Sequence, residues 1–170
     1  GNDVWQKMPP VSIRRSAENG ALEVASPFCF TQDWYAMGDR VELLSETEFR
    51  LLGRLDRIVK LEEKRISLDQ MEDYLRQDDY ISDVRIITVA GKRTVLGAAC
   101  ILSEQGRLKL AQAGKRYLAE HLRRHLLRIF EPVTLPRKWR YIDDFPYNSQ
   151  GKLTRQALLV LFEEKHDEQT

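Results

Sequence analysis

No apolar stretch in this chain approaches the ~20 residues that a membrane-crossing helix requires, which excludes a helical membrane span from its 170 residues. The first residues, Gly1 to Lys7, lack the basic-then-apolar layout of a secretory signal, so a cytoplasmic location is expected. Cysteine is scarce. Cys29 and Cys100 lie far apart between apolar neighbours, which reads as two reduced core thiols rather than a disulfide. Neither has a second ligand at metal-site spacing, so no metal site is expected. An excess of either charge is also missing: 27 Lys and Arg face 26 Asp and Glu, leaving no global field to draw in nucleic acid or a membrane surface. Internal repeats and low-complexity tracts are absent. What is present is 42% hydrophobic and 31% charged residues, enough for a packed core under a polar surface. The length suits one domain, or a small domain plus a fragment of another.

The texture changes along the chain. Residues 1–54 are rich in short extended runs: Val11 to Ile13, Ala21 to Ala25 and Arg40 to Leu44, with Asn19-Gly20 as a hairpin signal between the first two. Few of these residues can form a core unaided, so they read as strands of a larger sheet or barrel. From residue 55 onward an α+β pattern takes over. Ile58 to Leu61 and Arg65-Ile66 form a short hairpin, after which Ser67 caps a helix from Leu68 to about Arg76 with Leu68, Met71 and Leu75 on one stripe. Asp83 to Ala90 and Thr94 to Leu102 are two strands turning at Gly91-Lys92-Arg93. A long amphipathic helix is expected from Arg107 to about Phe130, with Leu108, Ala111, Tyr117, Leu118, Leu122, Leu126 and Ile129 inward and Gly114 as a weak point. A third strand at Trp139 to Ile142 and a last helix capped by Thr154, burying Leu158, Leu161 and Phe162, complete the pattern, and the charged tail from Glu163 should fray.

Four small features bear on chemistry. Gly38-Asp39 is, by itself, a turn signal. Arg54 and Asp56 in G-R-L-D are, by themselves, a surface ion pair. Gly151-Lys152 alone is a solvated turn. The basic residues over 107–130 are either a solvated face whose long side chains cover apolar surface or a docking surface for an acidic partner.

Taken in order, W-Y-A-M-G-D at Trp34 to Asp39, the run from Gly53 to Glu72, and F-P-Y-N-S-Q-G-K-L-T-R at Phe145 to Arg155 resemble the C-terminal part of the adenylate-forming enzymes. That superfamily includes acyl-CoA synthetases, peptide-synthetase adenylation domains and luciferases. The resemblance runs from about Trp34 to Phe162. It implies a β-rich end of a large N-terminal domain over 1–54 and a mobile C-terminal domain over 55–170, the latter with a β-hairpin and a three-stranded sheet flanked by helices.

The resemblance also implies roles. In W-Y-x-T-G-D the aspartate holds the ribose of the nucleotide. Asp39 matches it, while Met37 stands where the pattern has Thr. Arg54 would reach the ribose and phosphate side, and Asp56 would be the hinge about which the small domain swings. Lys60, Glu63 and Arg65 fall on K-x-x-G-x-R, the strand lining the thiol tunnel, with Glu63 in place of glycine. Pro146, Gly151, Lys152 and Arg155 fit P-x-T-x-x-G-K-x-x-R, with Asn148 for Thr. Lys152 would be the catalytic lysine bridging the attacking carboxylate and the α-phosphate.

The family's phosphate loop, T-S-G-T-T-G-x-P-K, is nowhere in these residues. ATP or AMP with Mg2+ would therefore be held largely by a missing N-terminal domain, and the chain alone is expected to be inactive. The implied acceptor is coenzyme A or a phosphopantetheine arm, and an acyl carrier protein suits the basic helix. The rival readings are a nucleic-acid-binding module using helix 107–130 and a non-catalytic regulatory α+β domain.

Overall fold

In the computed structural model, which describes residues 4–28 and 33–163, turn chemistry organises the first part of the chain. Asn19 accepts the Ala21 amide through its side-chain oxygen at 2.9 Å, and Gly20 takes the left-handed φ of +75° that closes the turn. The strands β1 (Val4–Gln6), β2 (Ser12–Arg15), β3 (Ala21–Ala25), β4 (Tyr35–Leu43) and β5 (Glu48–Arg54) form one antiparallel sheet in the order β1-β5-β4-β3-β2. A single 3-10 turn, Leu55–Arg57, follows. Cys29 and the tail beyond Glu163 lie outside the described residues.

β4 starts at Tyr35, well before the expected Arg40. Its first half pairs with β3, Val24 opposite Tyr35 and Glu23 opposite Ala36. Gly38-Asp39 therefore lies inside a strand, where cross-strand pairing overrides the local turn signal.

The described residues divide into two compact units between Ile58 and Val59. In the first, the buried hydrophobic side chains among the described residues are Ala21, Leu22 and Val41. Trp5, Met8, Phe28 and Tyr35 are more than half exposed. A five-stranded sheet with so small a core leaves apolar side chains uncovered by the described residues.

The second unit opens with a two-stranded hairpin, β6 (Ile58–Leu61) and β7 (Lys64–Ser67). Glu62 and Glu63 form its turn, with φ of +44° and +69°, the double left-handed geometry that matches the twist of a tight hairpin. Helix α1 (Leu68–Leu75) is capped by Ser67, whose hydroxyl oxygen accepts the Gln70 amide. It buries Leu68, Met71 and Leu75 as its spacing predicts.

A three-stranded sheet in the order β10-β9-β8 forms the centre, from β8 (Ile81–Val89), β9 (Val95–Leu102) and β10 (Lys138–Ile142). β8 and β9 are antiparallel, and β10 runs parallel to β9. Side chains on β9 alternate between two cores. Leu96, Ala98, Cys100 and Leu102 join the α1 side with Leu118, Leu122 and Leu126, while Ala99 packs with Phe145, Leu158 and Phe162. Burial on this central strand pushes the Cys100 thiol pKa well up.

The free edge of β8 is closed by side chains of α1. Buried Glu72 accepts the Ile86 amide at 2.8 Å, and Arg76 donates to the Val84 carbonyl at 3.1 Å. This covers an edge that would otherwise invite pairing.

Helix α2 runs Glu104–Leu126 with Ser103 as its cap, starting earlier and ending sooner than the apolar spacing suggests. It is broken by Gly114 at φ +84°, ψ +169°. Beyond the break Leu118, Leu122 and Leu126 are buried. Leu108, expected inward, is 59% exposed, and Ile129, also expected inward and 60% exposed, lies past the last residue of the helix. Helix α3 (Arg155–Val160) is capped by Thr154. None of the helices among the described residues is long and apolar enough to cross a membrane.

Candidate functional site

In the first unit, strand pairing places Asp39 directly opposite Arg54 across β4 and β5. One step away the register shifts, with Arg40 opposite Gly53 and Val41 opposite Leu51, so that Leu52 is an extra residue on β5. Gly53 absorbs this bulge at φ +105°, a conformation other residues adopt only under strain. The bulge thus fixes the direction in which Arg54 leaves the strand. Its guanidinium grips Asp56 with two bonds, Nε to Oδ1 at 2.9 Å and a terminal nitrogen to Oδ2 at 3.3 Å. That contact holds the Asp56 carboxyl below the usual carboxylate range.

Both side chains of this pair are about 60% exposed, so it adds only ~0–1 kcal/mol to stability. Its interest is chemical. A carboxylate accepts from two neighbouring hydroxyls, and a guanidinium fork matches phosphate oxygens. Asp56 lies in the 3-10 turn, in which no residue is buried.

In the second unit, Lys60, Glu63 and Arg65 all lie on the exposed β6–β7 hairpin. Glu63 occupies a left-handed backbone position, which gives a backbone reason for glycine there in the family pattern, independent of any space for a ligand. Its side chain is 88% exposed and meets Lys60 Nζ at 3.3 Å.

Lys152 sits on an exposed loop with an internal brace. The Asn148 side-chain oxygen accepts the amides of Gln150 and Lys152, each at 2.9 Å. The Asn148 amide donates to the Lys152 carbonyl, and Gly151 donates back to the Asn148 carbonyl, with Gly151 at φ +73°. Phe145, buried against Leu158 and Phe162, roots the loop on one side. On the other, Arg155 donates to the carbonyl and the hydroxyl of Thr88, both at 2.8 Å. The Lys152 ammonium has no ion-pair partner among the described residues. A rigid base carrying a free cation suits charge delivery to an anionic group.

Two roles escaped the residue pattern. Asn148 looked like a replacement for Thr and proves to be the organiser of the loop; its signal was local, since Asn two and four residues before turn amides is an Asx motif. A cleft around Asp78, His121 and His125 has no sequence signal, because its parts are 43 residues apart.

The basic helix is not one continuous stripe. Arg116 pairs with Glu120, Arg123 donates to the Pro136 carbonyl, and Lys109 lies over the Tyr117 ring. No group of three His, Cys, Asp or Glu side chains able to hold a metal occurs among the described residues.

No family model matches the chain. It is 29% identical over 163 residues to nonribosomal peptide synthetase 4 of Gibberella zeae, covering 88% of this chain and 2% of that protein. It is 27% identical over 167 residues to the L-proline–[L-prolyl-carrier protein] ligase of Pseudomonas fluorescens, covering 93% of this chain and 32% of that protein. Among solved structures, an ATP-bound RpMatB–BxBclM chimera shares the fold with a TM-score of 0.75 at 18% identity, over 95% of this chain and 36% of that one. The chain therefore spans between 2% and 36% of the proteins it matches here.

Proposed function

We propose that the chain is the C-terminal portion of an ATP-dependent ligase of the adenylate-forming superfamily, supplying a catalytic lysine and a hinge, a reading supported by its similarity to a nonribosomal peptide synthetase and a carrier-protein ligase. Such a ligase joins a carboxylic acid to a thiol through an acyl-adenylate. The observation that carries this reading is the exposed, unpaired Lys152 on the loop that Asn148 braces. Forming an acyl-adenylate brings a carboxylate against a phosphate, and charge grows on the phosphoryl oxygens in the transition state. An ammonium held ready by a rigid loop offsets that charge without reorganising.

Asp39 takes the ribose hydroxyls in this scheme and Arg54 the phosphate side. Asp56, in the turn close to the division between the units, is the pivot. Lys60, Glu63 and Arg65 face the thiol arm. The β-rich first unit exposes Trp5, Met8 and Phe28, and the remainder of a large N-terminal domain, with the phosphate loop and the Mg2+ ligands, would cover them. A carrier protein's phosphopantetheine is the acceptor we favour over free coenzyme A. One of the relatives is named as a carrier-protein ligase.

In the complete ligase, Lys152→Ala is expected to lower ATP–pyrophosphate exchange by about 10²–10³-fold, the size of effect seen when one charge-stabilising donor is lost. Asp39→Ala should instead raise the KM for ATP. Unchanged exchange in the Lys152 variant would reject the role. Measurable exchange by the isolated 170 residues would reject the dependence on a further domain.

A further inference from the structure

The C-terminal half of α2 carries His121, Arg124 and His125, and Arg128 follows in the turn beyond the helix's last residue, Leu126. All four line a cleft of about 380 Å3, together with Gln77, Asp78 and Asp79 from the connection that follows α1. At the base of the cleft lies Asp78, whose side chain is 7% exposed. One Asp78 oxygen accepts the Tyr80 amide at 3.0 Å, and the other meets His121 Nε2 at 2.8 Å. A buried carboxylate needs such partners, so Asp78 is committed inward.

His125 is fixed in turn. Its Nε2 lies 2.9 Å from the Tyr74 carbonyl, which can only accept, so that nitrogen carries the hydrogen. Its ring stacks on Tyr74 with centroids 4.4 Å apart. Both imidazoles are therefore held in place.

Arg124 and Arg128 are different. Neither has a carboxylate partner among the described residues, whereas Arg76 has Glu72, Asp73 and Asp83, and Arg116 has Glu120. The remaining acid at the cleft is exposed Asp79, so two guanidiniums face one uncommitted carboxylate. Arg124, in the last turn of α2, and Arg128, in the turn that follows, both line the cleft, and a guanidinium fork matches the oxygens of a tetrahedral anion.

We propose that this cleft binds the phosphate group of a small phosphate monoester or polyphosphate, gripped by Arg124 and Arg128 on a floor fixed by Asp78, His121 and His125. The site stands apart from the catalytic, nucleotide, hinge and thiol residues of the ligase reading, although Arg124 and Arg128 belong to the basic run over 107–130 that suits an acidic partner. The competing explanation is that the arginines only complement the negative C-terminal end of α2. That role needs charge but no fork geometry, so lysine substitutions separate the two.

The test is an NMR titration of the isotope-labelled 170-residue chain with inorganic phosphate and with pyrophosphate at constant ionic strength. Saturable shifts of the amides of residues 121–128 with Kd of ~1 mM or tighter are expected, weakened at least tenfold in Arg124→Ala/Arg128→Ala and clearly weakened in Arg124→Lys/Arg128→Lys. Tighter binding of pyrophosphate would assign a polyphosphate ligand, and equal binding a monoester. Shifts that stay linear to ~50 mM, or that persist unchanged in the alanine double variant, would overturn the site. So would equal affinity in the lysine double variant. Both arginines are exposed, and an unchanged circular dichroism spectrum would establish that each variant is folded.

Discussion

Glu63 shows how a single residue can bear on stability and chemistry at once. Its φ of +69° places a full side chain in the left-handed region, a conformation costing about 1–3 kcal/mol for residues other than glycine. Its ion pair with Lys60 is too exposed to offset much of that. After the greater freedom of glycine in the unfolded chain is subtracted, Glu63→Gly should stabilise the second unit by about 1 kcal/mol and raise Tm by a few degrees. A lower Tm would show that the hairpin relies on this carboxylate.

Asp83 carries a second prediction at this scale. Burial works against its ionisation, but the hydrogen bond from Arg76, the Val84 amide and the charges of Arg85 and Arg76 hold its carboxyl below the usual range. A carboxyl depressed in the folded state contributes stability above the unfolded value of about 4, and loses it as pH falls toward the folded value. Urea midpoints should therefore drop between about pH 5 and pH 3, and Asp83→Asn should lose less over that window than the parent. Parallel losses in both proteins would contradict the assignment.

At the scale of elements, β9 carries a tight constraint. A Cβ built on Gly97 would lie 2.7 Å from the Phe162 ring, so the aromatic seals the second core only because that strand position is bare. Gly97→Ala should destabilise by about 1–3 kcal/mol, read as a lower urea midpoint with unchanged slope; a shift below ~0.5 kcal/mol would mean that Phe162 yields freely. The elements legible in the sequence were those with local signals: the Ser67 and Thr154 caps, the Asn19-Gly20 turn, and the β-rich runs of β8 and β9 on either side of Gly91-Lys92-Arg93. Helix α2 was legible only in outline. Gly114 announced a weak point, but the exposure of Leu108 and the end of the helix before Ile129 depend on packing that no local pattern encodes. The early start of β4 was hidden for a related reason, because pairing with β3 overrides what Gly38-Asp39 signals by itself.

For the whole molecule, the two units differ in self-sufficiency. The second has two cores on either side of its sheet, whereas the first, among its described residues, buries only Ala21, Leu22 and Val41 of its hydrophobic side chains. The candidate residues were readable in sequence as ordered motifs. Their local settings were not: the bulge at Leu52 that directs Arg54, the Asn148 brace beneath Lys152, and the Arg155 anchor on Thr88 all depend on strand register or long-range contact. These settings give the assigned roles a physical basis, and the roles are tested most directly by timing the two half-reactions separately in the complete ligase carrying Lys152→Ala. The account predicts that acyl-adenylate formation falls by at least a hundredfold while thiol transfer from preformed acyl-adenylate stays within about threefold of the parent. Equal loss in both half-reactions would contradict it.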